Sequence, residues 1–276
     1  MAERAIKELI ASRATSDGAG VRMNRAIGNE LLSELDPFLL LDNFGTDNPN
    51  DYIAGFPDHP HRGFETVTYM IQGLMRHRDS KGNEGLLQPG GVQWMTAGRG
   101  IIHSEMPEQT KGEMSGFQLW VNLPAEKKMC EPRYQEFSPD EVPHVEVSKD
   151  VHVRVIAGQV GNIVGPVNEI DIEPVYLDIE LTSGASFSTS LPKKHTAFVY
   201  VFQGDVEVGS NLVSLNHLGI LTEGEEVILR SLGGGRLILV AGKPFGEPIA
   251  RYGPFVMNTA DEIRQAIRDF QQGSLA

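Results

Sequence analysis

The chain has 276 residues, 40% of them hydrophobic and 22% charged, which is enough for one large core or two domains of ordinary size and unlike a disordered segment. Its formal charge of −13 excludes a nonspecific nucleic-acid surface, which needs concentrated Lys and Arg, and sets the chain against an anionic membrane. Cys130 is the single cysteine, so an intrachain disulfide and a cysteine-based zinc finger are excluded.

The opening stretch MAERAIKELIASRATSDG is charged throughout and lacks the apolar region of a secretory signal. No later run approaches the ~20 apolar residues of a membrane span, and the expected location is cytoplasmic. From there on, short runs rich in Val, Ile, Leu, Phe and Tyr are cut at brief intervals by Gly, Pro, Asn and Asp, the pattern of many short strands.

Within FPDHPHRGFETV, residues 56–67, His59 and His61 stand two positions apart and so share one face of an extended backbone. In GRGIIHSE, residues 98–105, His103 and Glu105 repeat that spacing after a glycine turn. Three neutral nitrogens and one carboxylate suit a divalent iron, manganese, copper, nickel or zinc ion, with positions left open if the ion prefers six ligands. On the residues alone a pair of surface histidines and a metal site both stay open. A purely structural zinc is the weakest alternative, because such sites fill all four positions and usually use thiolates. Glu65, four residues after His61, reads either as a fifth oxygen donor or, the preferred alternative, as an acceptor for an imidazole N–H behind the ligands.

His77, His144, His152, His195 and His217 lack comparable neighbours and read as solvent-facing or hydrogen-bonded residues. Trp94 and Trp120 fall in strand-like runs and read as core, while Arg62, Arg76, Arg78 and Arg99 read as a solvated rim. Gly90, Gly91, Gly98 and Gly100 serve turns rather than phosphate binding, since no helix pattern follows them.

Proline and charge replace the strand pattern in LPAEKKMCEPRYQEFSPDEVPH, residues 123–144, so a boundary is placed near residue 135, giving domains 1–134 and 135–276. In VYLDIEL, Leu177, Ile179 and Leu181 share one face against Asp178 and Glu180, a half-buried strand. AFVYVF, VEV and RLILVAG continue in the same way. TYMIQG (68–73) and VYVFQG (199–204) share Tyr, Gln and Gly at an offset of 131 residues, which suggests two related β-modules. That offset carries His59 to Ser190 and His61 to Pro192, so the second module lacks the ligands. Near the C-terminus, Thr259 and Glu262 can form a capping box, Ile263, Ile267 and Phe270 share a face, and Gly273 ends the helix.

GFPDHPHRGFETVTYMIQG followed by PGGVQWMTAGRGIIHSE closely resembles the pirin branch of the cupin superfamily, and the resemblance runs from DPFLLLDNFG into the second module. It implies an all-β bicupin: two jelly-roll barrels face to face, with a C-terminal helix and a metal only in the first barrel. Matched position by position, the family's ligands to a single iron fall on His59, His61, His103 and Glu105. The expected cofactor is Fe(II), with Mn, Co, Ni, Cu or Zn as alternatives. The resemblance implies either oxygenolytic cleavage of a flavonol such as quercetin, with Glu105 accepting the substrate's hydroxyl proton, or a redox-sensing regulator acting through a protein partner.

Overall fold

The structure, a computed structural model, describes residues 2–276. It is built almost wholly of antiparallel strands, with one α-helix, Ala260–Gln271. No helix is long and apolar enough to cross a membrane among the described residues.

Two compact units divide the chain, and each is assembled from three segments. The histidine unit holds Ala14–Gly28, Phe38–Pro139 and Phe245–Ala276. The companion unit holds the residues up to Arg13, Asn29–Pro37 and Asp140–Pro244.

In the histidine unit a seven-stranded sheet runs in the order Arg133–Phe137, Val92–Thr96, Phe64–Gln72, Met114–Asn122, Phe38–Thr46, Val21–Ile27, Arg13–Asp17. A four-stranded sheet runs Phe56–His61, Ile101–Pro107, Met75–Asp79, Glu84–Leu87. A seven-stranded and a four-stranded sheet make up the companion unit too. Its long sheet is rich in β-branched and aliphatic residues, and Val153, Leu177, Ile179, Val199, Val201, Leu237 and Leu239 fill its interior. These are the two cupin domains that the resemblance implies.

Each unit borrows a distant piece of chain. The edge strand Ile6–Ala11 of the companion unit pairs with His217–Leu221. Arg4, fully buried, anchors it by donating to the carbonyls of Gly224, His195, Thr222, Pro192 and Lys193. In the histidine unit the C-terminal segment closes beside the histidine motif. Gly63, at φ +88°, lies so close to the Val256 carbonyl that a Cβ there would overlap it. The helix opens with the expected capping box: Thr259 Oγ1 accepts from the Glu262 N–H, and the Glu262 carboxylate accepts from the Thr259 N–H. Ile263 and Ala266 are its buried face, and Gly273 follows it at φ +71°.

Lys128 locks the same junction. It is 1% exposed and donates to Gly63 O at 2.8 Å, Asn122 Oδ1 at 2.7 Å and Val256 O at 3.1 Å. Burial pulls its ammonium down to about 8. Between that value and the ordinary 10.5 the unfolded chain binds the extra proton, so stability rises with pH across this window; below about 8 both states are charged and the cost of burial is constant. Denaturant melts from pH 7.5 to 10.5 should therefore show wild type gaining on Lys128→Met by up to ~3 kcal/mol. A constant difference would show that the three acceptors hold the ammonium charged throughout.

Candidate metal centre and its pocket

The site begins with strand register. Phe56–His61 pairs antiparallel with Ile101–Pro107 so that His59 stands opposite His103, which sets their side chains on one face with His61 beside them. A bulge between His103 and Glu105 shifts the register, bringing Glu105 opposite Phe56. The imidazole centroids lie 4.4 Å apart for His59 and His103, 4.7 Å for His59 and His61, and 5.0 Å for His61 and His103. One ring nitrogen from each falls within 4.8 Å of the others.

Their hydrogen bonding fits an ion. His59 Nδ1 sits 2.8 Å from the Pro57 carbonyl, which only accepts, so Nδ1 donates there and Nε2 is the nitrogen left for an ion. His61 Nδ1 and both nitrogens of His103 are buried without a protein partner. A buried imidazole nitrogen left unpaired costs about 1–3 kcal/mol, and a cation among three lone pairs removes that cost. Burial, reinforced by the neighbouring imidazoles, holds His61 and His103 well below the usual histidine range, so both are neutral near pH 7.

Glu105 is 4% exposed beside this cluster, and its Oε1 accepts from Thr68 Oγ1 at 2.7 Å. Thr68 Oγ1 also lies 2.7 Å from Gln118 Oε1. One hydroxyl proton serves one acceptor at a time. Turning the Gln118 amide by half a turn makes a continuous chain in which Gln118 donates to Thr68 and Thr68 donates to Glu105.

His59, His61 and Glu105 open on a cavity of about 560 Å³ whose apolar walls include Phe44, Phe56 and Trp120, while His103 is fully buried and does not line it. Trp120 meets His61 edge-on at 5.2 Å. Arg251 lies over the other ring contact of that wall, 4.8 Å from the Trp120 centroid, and donates to the Leu39 carbonyl at 3.0 Å. Arg25 also lines the cavity, clasped bidentately by Asp42 at 2.8 and 2.7 Å and bonded to Asp17 at 2.7 Å.

Several residues lie elsewhere than their sequence suggests. Glu65 does not lie behind the histidine cluster. Three places before Thr68 in an unbroken strand, it faces the opposite side of the sheet, where it accepts from Thr96 Oγ1 at 2.6 Å. His77 takes the hydrogen-bonded one of its two alternatives: it is 3% exposed, because its strand pairs it with Glu105. Its Nε2 lies 2.6 Å from Glu136 Oε2, which also accepts from Gln93 Nε2 at 2.8 Å. That bond to His77 is the main reason the Glu136 carboxyl is held below its usual range.

Arg62 is likewise no rim residue: buried, it pairs with Asp269 of the helix at 2.6 Å and donates to the Arg99 carbonyl. Arg76, Arg78 and Arg99 do form ion pairs at the surface, with Glu84 and Glu108, with Glu84, and with Glu131. Trp94 is core at 1% exposure, whereas Trp120 belongs to the cavity.

Sequence reasoning missed Thr68, Gln118, Trp120, Arg25 and Arg251. Thr68 carried no signal of its own, since Glu65, Thr66 and Gln72 are polar residues of the same strand. The others become visible only through pairing: Gln118 stands opposite both Thr68 and Asp42.

Comparison with known families settles the relationship. The Pirin profile matches residues 20–121 and the Pirin C-terminal cupin domain profile matches residues 176–276. The chain belongs to the pirin family. A Pseudomonas aeruginosa protein provisionally named a quercetin 2,3-dioxygenase is 51% identical over 99% of this chain and 98% of its own. Human Pirin is 45% identical over 95% of this chain and 90% of its own. Among solved structures, one titled quercetin 2,3-dioxygenase from Acinetobacter baumannii superposes with a TM-score of 0.93 at 35% identity, covering 100% of this chain and 99% of that one. In this pirin the matched N-terminal profile contains all three clustered histidines and Glu105.

Proposed function

We propose that this pirin is a flavonol dioxygenase that opens the ring of a quercetin-like substrate with dioxygen to yield a depside and carbon monoxide. His59, His61, His103 and Glu105 would hold its metal. Three converging imidazoles, two of them at the wall of an aromatic cavity, with buried nitrogens on His61 and His103 that find no protein partner, carry this reading. The high similarity to proteins named quercetin 2,3-dioxygenase supports it.

A divalent ion there, Fe(II) foremost and Mn, Co, Ni, Cu or Zn as alternatives, would supply Lewis acidity that acidifies the substrate's 3-hydroxyl and activates it towards dioxygen. The residues do the rest. Phe44, Phe56 and Trp120 offer apolar faces to a planar ring system and exclude water from around it. Glu105 takes the hydroxyl proton on its carboxylate, while Thr68 fixes the orientation of that carboxylate from the far side.

The deciding experiment is aerobic turnover of a flavonol panel by protein loaded in turn with each ion, read as oxygen uptake and carbon monoxide release. Stoichiometric release with at least one ion supports the proposal. Fully loaded protein that consumes no oxygen with any flavonol would overturn it and turn attention to a regulatory protein partner.

A further inference from the structure

Arg62 directly follows His61, and Arg99 lies in the turn Gly98–Gly100 that leads into the strand carrying His103. The buried Arg62 side chain donates through Nε to the Arg99 carbonyl and through Nη1 to Asp269 Oδ2 at 2.6 Å. Its backbone is held as well: the N–H donates to the Pro254 carbonyl at 3.3 Å, and the carbonyl accepts from the Val256 N–H at 3.0 Å. One guanidinium therefore joins the end of the first histidine strand, the turn before the second, and the C-terminal helix Ala260–Gln271.

Asp269 is fixed in its turn. Its Oδ1 accepts from Gln265 Nε2 at 2.7 Å, one helical turn earlier, and its carbonyl accepts from the Ser274 N–H at 2.8 Å beyond the end of the helix. The chain then folds back over the same turn before the His103 strand. Leu275 is 2% exposed, and Gly100, at φ +149°, comes so near the Leu275 carbonyl that a Cβ there would overlap it.

The three imidazoles converge only while the two strands keep their separation. His61 opposite Ile101 is the last pair of their ladder, so beyond it the spacing depends on the Gly63 N–H bond to the Gly98 carbonyl, at 2.8 Å, and on Arg62. Without Asp269 the buried guanidinium keeps its charge and loses its counter-charge, and it is drawn towards water with the strand end it holds.

We propose that Asp269 is a positioning residue for the metal centre: through Arg62 it fixes the separation of the strands that present His61 and His103, so that docking of the C-terminal helix and affinity for a divalent ion rise and fall together. This rests on the reading of the three histidines as a metal site, and holds whether or not that centre turns over a flavonol.

The test is Co(II) binding to the full chain, measured by competition with a chelator, with the visible spectrum of the bound ion as a second readout. Asp269→Asn should bind Co(II) about tenfold or more weakly than wild type, the usual effect of removing a group that orients a metal ligand from behind. Its ligand-field bands at full loading should differ from those of wild type. Asp269→Glu, which keeps the charge, should recover most of the affinity and the wild-type bands. Asp178→Asn is the control: it breaks an ion pair with Arg236, at 2.9 and 2.6 Å, in the companion unit, and should lower the melting temperature without changing either readout. Because coupling is reciprocal, Co(II) should also slow amide hydrogen exchange of wild type in Ala260–Gln271 more than in Val151–Ala157 of the companion unit, a readout that depends on no variant folding.

Asp269→Asn with a lower melting temperature but wild-type affinity and bands would make Asp269 purely structural and overturn the inference. The same shift of bands in Asp178→Asn, or helix exchange indifferent to the ion, would overturn it too. Wild type that binds no Co(II) would remove the metal centre itself, and this inference with it. The expected Co(II) results in a protein that never consumes oxygen would remove only the dioxygenase.

Discussion

His103→Ala should reduce bound metal from about one ion per chain to background, and with it any effect of a chelator on thermal stability. His103 is fully buried in the middle of the cluster, and both of its ring nitrogens lack protein partners. Among the described residues no further histidine, cysteine or carboxylate joins the cluster of His59, His61 and His103. His77, the nearest buried imidazole by register, is bonded through Nε2 to Glu136. Two imidazoles and a carboxylate already tied to Thr68 form a much poorer site than three imidazoles, and metal affinity is lost by orders of magnitude rather than by a small factor.

The metal-free stabilities should differ far less. Truncation leaves a cavity costing about 2–4 kcal/mol, but it also removes two orphaned polar atoms that each cost about 1–3 kcal/mol. Elemental analysis, paired with melts in the presence and absence of chelator, separates these contributions. Wild type should lose stability when chelated, by the free energy of ion binding to the folded state, and His103→Ala should not. Full occupancy in the variant would sink the assignment of His103 as a ligand.

The histidine pairs were legible in the sequence because the i, i+2 rule is local: any extended backbone puts His59 with His61, and His103 with Glu105. The helix was legible for the same reason, since Thr259 and Glu262 cap within one turn. What the sequence hides is whatever depends on register between distant strands. Gln118 reaches Thr68 because Met114–Asn122 pairs with Phe64–Gln72, and His77 is buried because Met75–Asp79 pairs with Ile101–Pro107. Polar residues there look like solvent-facing ones until the partner strand is known. Arg4 and Arg251 are hidden more deeply, each lying in a segment that joins a unit far from it in sequence. The internal repeat suggested two related β-modules, and the family resemblance identified them as cupins.

Glu105→Gln should separate the metal site from the chemistry proposed for it. Glutamine keeps the shape of the side chain and an oxygen that can still accept from Thr68 Oγ1, which now lies 2.7 Å from the carboxylate. It removes the negative charge and the basic oxygen. Metal binding should weaken yet survive, because the three imidazoles remain, whereas flavonol turnover per bound ion should fall by ~10² to 10⁴, the usual contribution of a positioned general base. The ratio matters more than either number: a residue that only ligates would lose occupancy and turnover together. Thr68→Val sharpens the distinction, since it deletes the hydroxyl that orients Glu105 while leaving the carboxylate in place. Alone it should lower turnover less than Glu105→Gln does. Added to Glu105→Gln it should do little more, as two residues serving one proton transfer are strongly non-additive. Losses that simply multiply in the double variant would mean that Thr68 does not act through Glu105, and the base would have to be sought elsewhere in the cavity.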